Sequence, residues 1–139
     1  GEKNTYNMPD EYNAIDWALK SQYGDLVEYC KGLIAMRKEH PAFSLGTAEA
    51  VREHLSFIEN DNEAAVGFVL DKLEGIDSAK RIVVLMNGSR EGVEFDIPAG
   101  SYKWISDGEF VHAKGMGVFN CDSGKLNVAP ISGVILAEY

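Results

Sequence analysis

The sequence has 139 residues and a formal net charge of −9, with 45% of its residues hydrophobic and 25% charged. That length suits one compact domain, or a small domain with an appendage, able to bury roughly two thirds of its unfolded surface without disulfides or metal. The acid excess, with Lys and Arg scattered and only Arg37-Lys38 and Lys80-Arg81 as short runs, excludes a nucleic-acid partner or a membrane surface, which need a basic stripe.

A neutral polar ligand such as a sugar remains compatible, because it needs no complementary field. No apolar run approaches the roughly 20 residues that span a bilayer, and the start Gly1-Glu2-Lys3-Asn4 reads as carrying no signal peptide, which a cut-out fragment would have lost.

Residues 1–23 read as a shaped, packed loop. Asn4, Asn7, Pro9, Asp10 and Asn13 are turn formers, and Tyr6, Met8, Tyr12, Ile15 and Trp17 are apolar anchors among them. A short helical turn fits residues 13–19. Residues 25–39 form the clearest helix, with Asp25 as N-cap, Glu28 completing a capping box and Pro41 ending it.

At about 100° per residue, Leu26, Val27, Tyr29, Cys30, Leu33, Ile34 and Met36 span half the circumference. Glu28, Lys31, Gly32, Ala35, Lys38 and Glu39 take the other half. An apolar arc this wide predicts contact with two neighbouring elements. Arg37 points into the arc and is expected either to snorkel to its rim or to find a carboxylate or helix-end carbonyls.

From about residue 47 the period changes to that of strands. Runs rich in β-branched and aromatic residues occupy 54–59, 64–71, 81–86, 93–97, 102–105, 110–111, 117–120, 125–128 and 134–138. Between them lie turn sequences such as Asn87-Gly88 and Asp107-Gly108. Runs 81–86 and 134–136 are unbroken apolar and read as central strands, whereas 93–97 alternates and reads as half exposed. The pattern is that of an all-β sandwich.

Little in the sequence carries chemistry. Cys30 and Cys121 belong to no C-x-x-C motif and read as buried free thiols. His40, His54 and His112 sit in no nucleophile or zinc motif and read as structural. Glu59, Asp61 and Glu63 read as a solvated turn, and Tyr102 and Trp104, two apart on one strand face, as core rather than a sugar platform.

The stretch Asn4-Thr5-Tyr6-Asn7-Met8-Pro9-Asp10-Glu11-Tyr12-Asn13-Ala14-Ile15-Asp16-Trp17 closely resembles a segment of type I pullulanases. These are α-1,6-debranching members of the α-amylase superfamily, and Thr5 stands where they usually carry Ser. The resemblance continues through Leu33-Ile34-Ala35-Met36-Arg37-Lys38-Glu39-His40-Pro41-Ala42-Phe43, similar to the end of the family's last barrel helix. Ala129-Pro130-Ile131-Ser132-Gly133-Val134-Ile135-Leu136 is similar to the final strand of its C-terminal β-sandwich.

The resemblance implies a mainly β fold. Residues 44–139 would be the C-terminal antiparallel β-sandwich domain, and residues 1–43 the last loop and helix of a truncated (β/α)8 barrel. The chain would be an incomplete piece of a larger hydrolase that cleaves α-1,6 branches in pullulan, glycogen or starch. The family's reacting carboxylates lie on earlier barrel strands, so no catalytic residue, metal or cofactor is implied here.

What the resemblance does imply is substrate contact by Asn4, Tyr6 and Asn7 on the last barrel loop, where amides offer donors and acceptors and an aromatic can stack on a ring. The implied partners are the α-glucan and the missing barrel of the same chain; the apolar arc of helix 25–39, with one flank on the sandwich, is expected to offer the other to a second copy. One alternative is a free-standing glucan-binding module using Tyr102, Trp104 or the early loop. Another is a sandwich with no ligand.

Overall fold

Antiparallel pairing organises the chain from Leu55 onward. A computed structural model describes residues 4–139; Gly1, Glu2 and Lys3, part of the segment read as carrying no signal peptide, lie outside the described residues. Helices α1 (Asp10–Asn13), α2 (Leu19–Gln22) and α3 (Gly24–Glu39) come first, followed by a 3₁₀ turn at Pro41–Ser44 and α4 (Ala48–His54). The strands are β1 (Leu55–Ile58), β2 (Ala65–Leu70), β3 (Arg81–Asn87), β4 (Val93–Asp96), β5 (Gly100–Ser106), β6 (Val111–Cys121), β7 (Lys125–Val128) and β8 (Ser132–Glu138).

Six strands form one sheet in the order β1-β2-β3-β8-β5-β6, and β4 pairs with β7 in a second, smaller sheet. Every pairing is antiparallel, which is the mainly β sandwich expected. The small sheet covers one face of the large one. Val83, Leu85 and Leu136 point into that inner core beside Phe95 and Val93. Their neighbours Ile82, Val84, Ile135 and Ala137 point the other way, into a second core shared with Met36 and Ala42. β3 and β8 are therefore buried on both faces, which is why they read as continuous apolar runs. β4 buries Val93 and Phe95 and exposes Glu94 and Asp96, as its alternation predicts.

The second core requires α3, which lies against β6 on the outer face of the large sheet. Contact is made through Tyr29, Gly32, Leu33 and Met36. The Tyr29 hydroxyl is 3.3 Å from Ser106 Oγ, and Met36 is buried.

Gly32, placed on the polar half by its angle, faces the sheet instead. A Cβ there would lie 2.7 Å from Val111 Cβ. The helix comes this close because Gly32 has no side chain, which accounts for a residue that otherwise weakens a helix interior. Gly32→Ala is expected to destabilise the chain by about 1–3 kcal/mol in denaturant unfolding despite alanine's better helix propensity. A neutral or stabilising result would show that the helix is free to move off the sheet.

Several boundaries differ from the sequence reading. Tyr23, not Asp25, is the N-cap of α3, and no side chain caps it; Asp25 falls inside the first turn, where a carboxylate favours the positive end of the helix dipole. The helical turn expected at 13–19 is two separate turns flanking that stretch. Helix α4 occupies Ala48–His54, where a strand period was expected from about residue 47 and a strand run from residue 54. Thr47 caps it by accepting from the Ala50 N–H at 3.1 Å. The runs 110–111 and 117–120 are one strand, β6. Gly115 and Gly117 take positive φ within it, and its register against β5 shifts at Trp104. Glycines at positive φ make bulges that bend a strand rather than ending it.

Candidate functional site

The early loop is built by local hydrogen bonds rather than by packing. Asn4 Oδ1 accepts from the Tyr6 N–H at 3.1 Å, an Asx turn, and Met8 N–H bonds Thr5 O at 3.0 Å to close the next turn. Asn13 Nδ2 donates to Thr5 O at 3.0 Å and ties α1 to the turn. Tyr6 is thereby thrust outward, 88% exposed, and Asn7 beside it is exposed as well.

Asn4, Tyr6 and Asn7 thus share one tight turn, with the aromatic ring as its most prominent feature. The packed loop expected from its large side chains is not formed within the described residues: Tyr12, Ile15, Trp17 and Tyr23 are all exposed.

The same openness continues along α3. Its apolar arc is split: Tyr29, Leu33 and Met36 face β6, while Leu26, Cys30 and Ile34, spaced by four, form an outward flank. Leu26 and Ile34 are 58% and 57% exposed. Arg37 lies on this flank and is exposed rather than paired inside an arc, because the flank that would bury it is uncovered. Cys30, expected buried, is exposed for the same reason, and Cys121 is buried; both are free thiols.

Beside this flank is an apolar groove. Its walls are Asp25, Leu26 and Tyr29 of α3, the end of β3 at Met86, the turn carrying Glu109 and Phe110, and Ile131 before β8.

A buried polar link ties α3 to the sandwich. His40, at the C-cap of α3, places Nδ1 2.8 Å from Asp77 Oδ1 and Nε2 2.9 Å from Ala113 O. Both ring nitrogens thus lie within hydrogen-bond distance of an oxygen, so the ring bridges the Asp77 carboxylate and the Ala113 carbonyl. The two side chains are fully buried. Burial alone would push the Asp77 carboxyl up. Hydrogen bonds from the Ala79 N–H, the His40 ring and the Ala42 N–H outweigh it and hold the group below the ordinary carboxylate value. His40 is structural, as read, but its part is specific: it joins the helix end to the β2–β3 connection and to β6.

Elsewhere the chemistry is sparse. His54 Nδ1 lies 3.0 Å from Asp71 O, and His112 is exposed on β6. Asp16 Oδ1 accepts from the Ala18 N–H at 2.9 Å, and Asp10 is exposed. The acidic turn near Glu59 is held by its own Asx bonds and by Asn60 Nδ2 donating to Glu94 O at 2.8 Å. Among the described residues no group of three or more His, Cys, Asp or Glu side chains is placed to hold a metal.

Tyr102 is 1% exposed, and its hydroxyl donates to Pro98 O at 2.7 Å. Trp104 is half-buried against Phe119, ring centroids 5.2 Å apart. These aromatics are core, as expected, not a platform for a sugar ring.

The family model for the pullulanase all-beta domain matches residues 51–109. The pullulanase of Bacillus subtilis (strain 168) is 33% identical over 98 residues, covering 70% of this chain and 14% of that protein. An isoamylase of Flavobacterium sp. is 31% identical, covering 70% of this chain and 15% of that protein. The solved pullulanase from Bacillus acidopullulyticus superposes with a TM-score of 0.87 at 30% identity, over 99% of this chain and 16% of that one. A mutant pullulanase from Paenibacillus barengoltzii complexed with maltotriose superposes with a TM-score of 0.78 at 32% identity, over 99% of this chain and 21% of that one. The chain therefore spans only about a seventh of the curated relatives it matches. It belongs to the pullulanase family, as a stretch whose residues 51–109 match the all-beta domain.

Proposed function

We propose that the chain is the C-terminal support portion of a pullulanase-like glycoside hydrolase that cleaves α-1,6-glucosidic branches in pullulan, glycogen or starch. In this reading residues 1–43 complete a (β/α)8 barrel whose reacting carboxylates lie on earlier strands, and residues 44–139 brace it. One observation carries the reading. The loop and the outer flank of α3 expose Tyr6, Trp17, Leu26 and Ile34, while the opposite flank is fastened to the sandwich by the His40–Asp77 link. Such an element is half of an interface whose other half is a separate body.

Asn4, Tyr6 and Asn7 are the substrate contacts in this proposal. Tyr6 offers a free ring face and Asn7 an exposed amide, fit for stacking on a pyranose and for bonding its hydroxyls. Support comes from relatives solved with bound maltose and maltotriose.

The test compares two forms. The 139-residue chain should release no reducing sugar from pullulan. The longer polypeptide encoded by its gene should, and Tyr6→Ala in it should lower kcat/KM about tenfold, the loss of roughly 1.4 kcal/mol of ring stacking. Turnover by the short chain that was lost on mutating Asp10 or Asp16 would overturn the support reading. An unchanged kcat/KM would remove Tyr6 from the substrate contacts.

A further inference from the structure

Ile131 sits in a backbone conformation that its side chain disfavours. Its φ is 48°, in the left-handed region where Cβ crowds the neighbouring carbonyl and where a β-branched residue is an outlier. Nothing among the described residues offsets that strain by burying the side chain, which is 69% exposed. The turn itself needs no isoleucine. The Ile131 N–H bonds Ser89 O at 3.1 Å, a main-chain bond that Asn or Gly would make equally well while adopting the same φ without strain. What isoleucine alone supplies is an apolar side chain on the wall of the groove, with Leu26, Met86 and Phe110.

We propose that Ile131 is a docking anchor, held in a strained conformation so that its side chain, with Leu26 and Phe110, is received by the catalytic portion of the parent enzyme. This rests on the support reading above. Leu26 identifies the occupant, because it belongs both to the groove and to the outward flank of α3. A body that covers Leu26, Cys30 and Ile34, and the exposed loop leading to them, therefore reaches the groove as well.

The relatives carry the matched stretch as only 14–21% of their length, so the rest of such a polypeptide is large enough to cover both. A second copy fits less well. A two-fold interface over this groove would bring Asp25 and Glu109 of one chain against the same carboxylates of the other, between molecules that each carry a net charge of −9. The receiving surface is accordingly apolar at its centre, with basic groups at its rim.

Thermal unfolding of Ile131→Asn and Ile131→Gly, each in the 139-residue chain and in the longer polypeptide encoded by its gene, tests the anchor. In the short chain both substitutions relieve strain and should raise Tm by about 2–5 °C. In the longer polypeptide Ile131→Asn should act with the opposite sign, lowering the Tm of the sandwich transition and speeding its proteolytic separation from the rest. The same sign in both contexts, or no effect in either, overturns the anchor even if the parent hydrolyses pullulan. A short chain that is dimeric and is dissociated by Ile131→Asn also overturns it, by making a second copy the occupant. A gene that encodes no catalytic portion removes the support reading itself, and the anchor with it.

Discussion

Replacing Asp77 with Ala is expected to lower the stability of the chain by about 3–5 kcal/mol at neutral pH, because it removes a buried carboxylate that three groups hydrogen-bond and leaves them unpaired. The variant leaves the His40 ring facing a void and takes the acceptor from the Ala42 and Ala79 N–H groups, which lie 3.2 and 2.9 Å from the carboxylate oxygens. Because those bonds hold the folded pKa below the unfolded value, Asp77 contributes stability that is fully present above about pH 4 and is lost as pH falls through the lower folded pKa. The difference between wild type and Asp77→Ala, measured by urea unfolding from pH 7 to pH 3, should therefore be constant at first and shrink below about pH 4. A difference under 1 kcal/mol at neutral pH, or one that widens in acid, would show that Asp77 does not hold the helix end to the sandwich.

Tyr102→Ala is expected to cost a similar 3–5 kcal/mol, because it empties a large site at the centre of the inner core. Tyr102 packs among Val83, Phe95 and Leu136, none of which can move far between two sheets already in contact. Its hydroxyl adds a smaller part. Tyr102→Phe keeps the packing and leaves Pro98 O without its donor, which should cost about 1 kcal/mol. Urea midpoints at constant m-value give both numbers. Affinity for a soluble maltooligosaccharide, measured in parallel, separates support from binding. A Tyr102→Ala chain that stayed stable but lost glucan affinity would make this face a sugar-binding module.

The strand pattern was legible because β pairing obeys a local rule. In β3 and β8 both faces are covered, so the residues are apolar throughout; in β4 one face is covered, so they alternate. The exceptions come from backbone freedom. Two glycines in β6 look like chain breaks in sequence, yet their positive φ is absorbed by bulges opposite Trp104. Helix α4 lacks an apolar stripe long enough to stand out over seven residues, and its Thr47 cap is recognisable only once the helix is placed.

The sequence by itself determined the elements with a strong period and the family resemblance of the loop, including the turn that presents Asn4, Tyr6 and Asn7. It also determined that α3 has more apolar surface than one neighbour can cover, since that follows from angles alone. Which part of that surface is covered was decided only by the tertiary structure. The helix rotates to bring Gly32 against Val111, leaving Leu26, Cys30, Ile34 and Arg37 outside. The His40–Asp77 link was equally hidden, because it joins residues 37 apart whose pairing depends on how the β2–β3 connection folds over the helix end. The strain at Ile131 is a dihedral angle, and no composition or spacing records it. Periodicity reports what each element needs to bury; the packing of elements sets which need is met within the chain and which is left for another body.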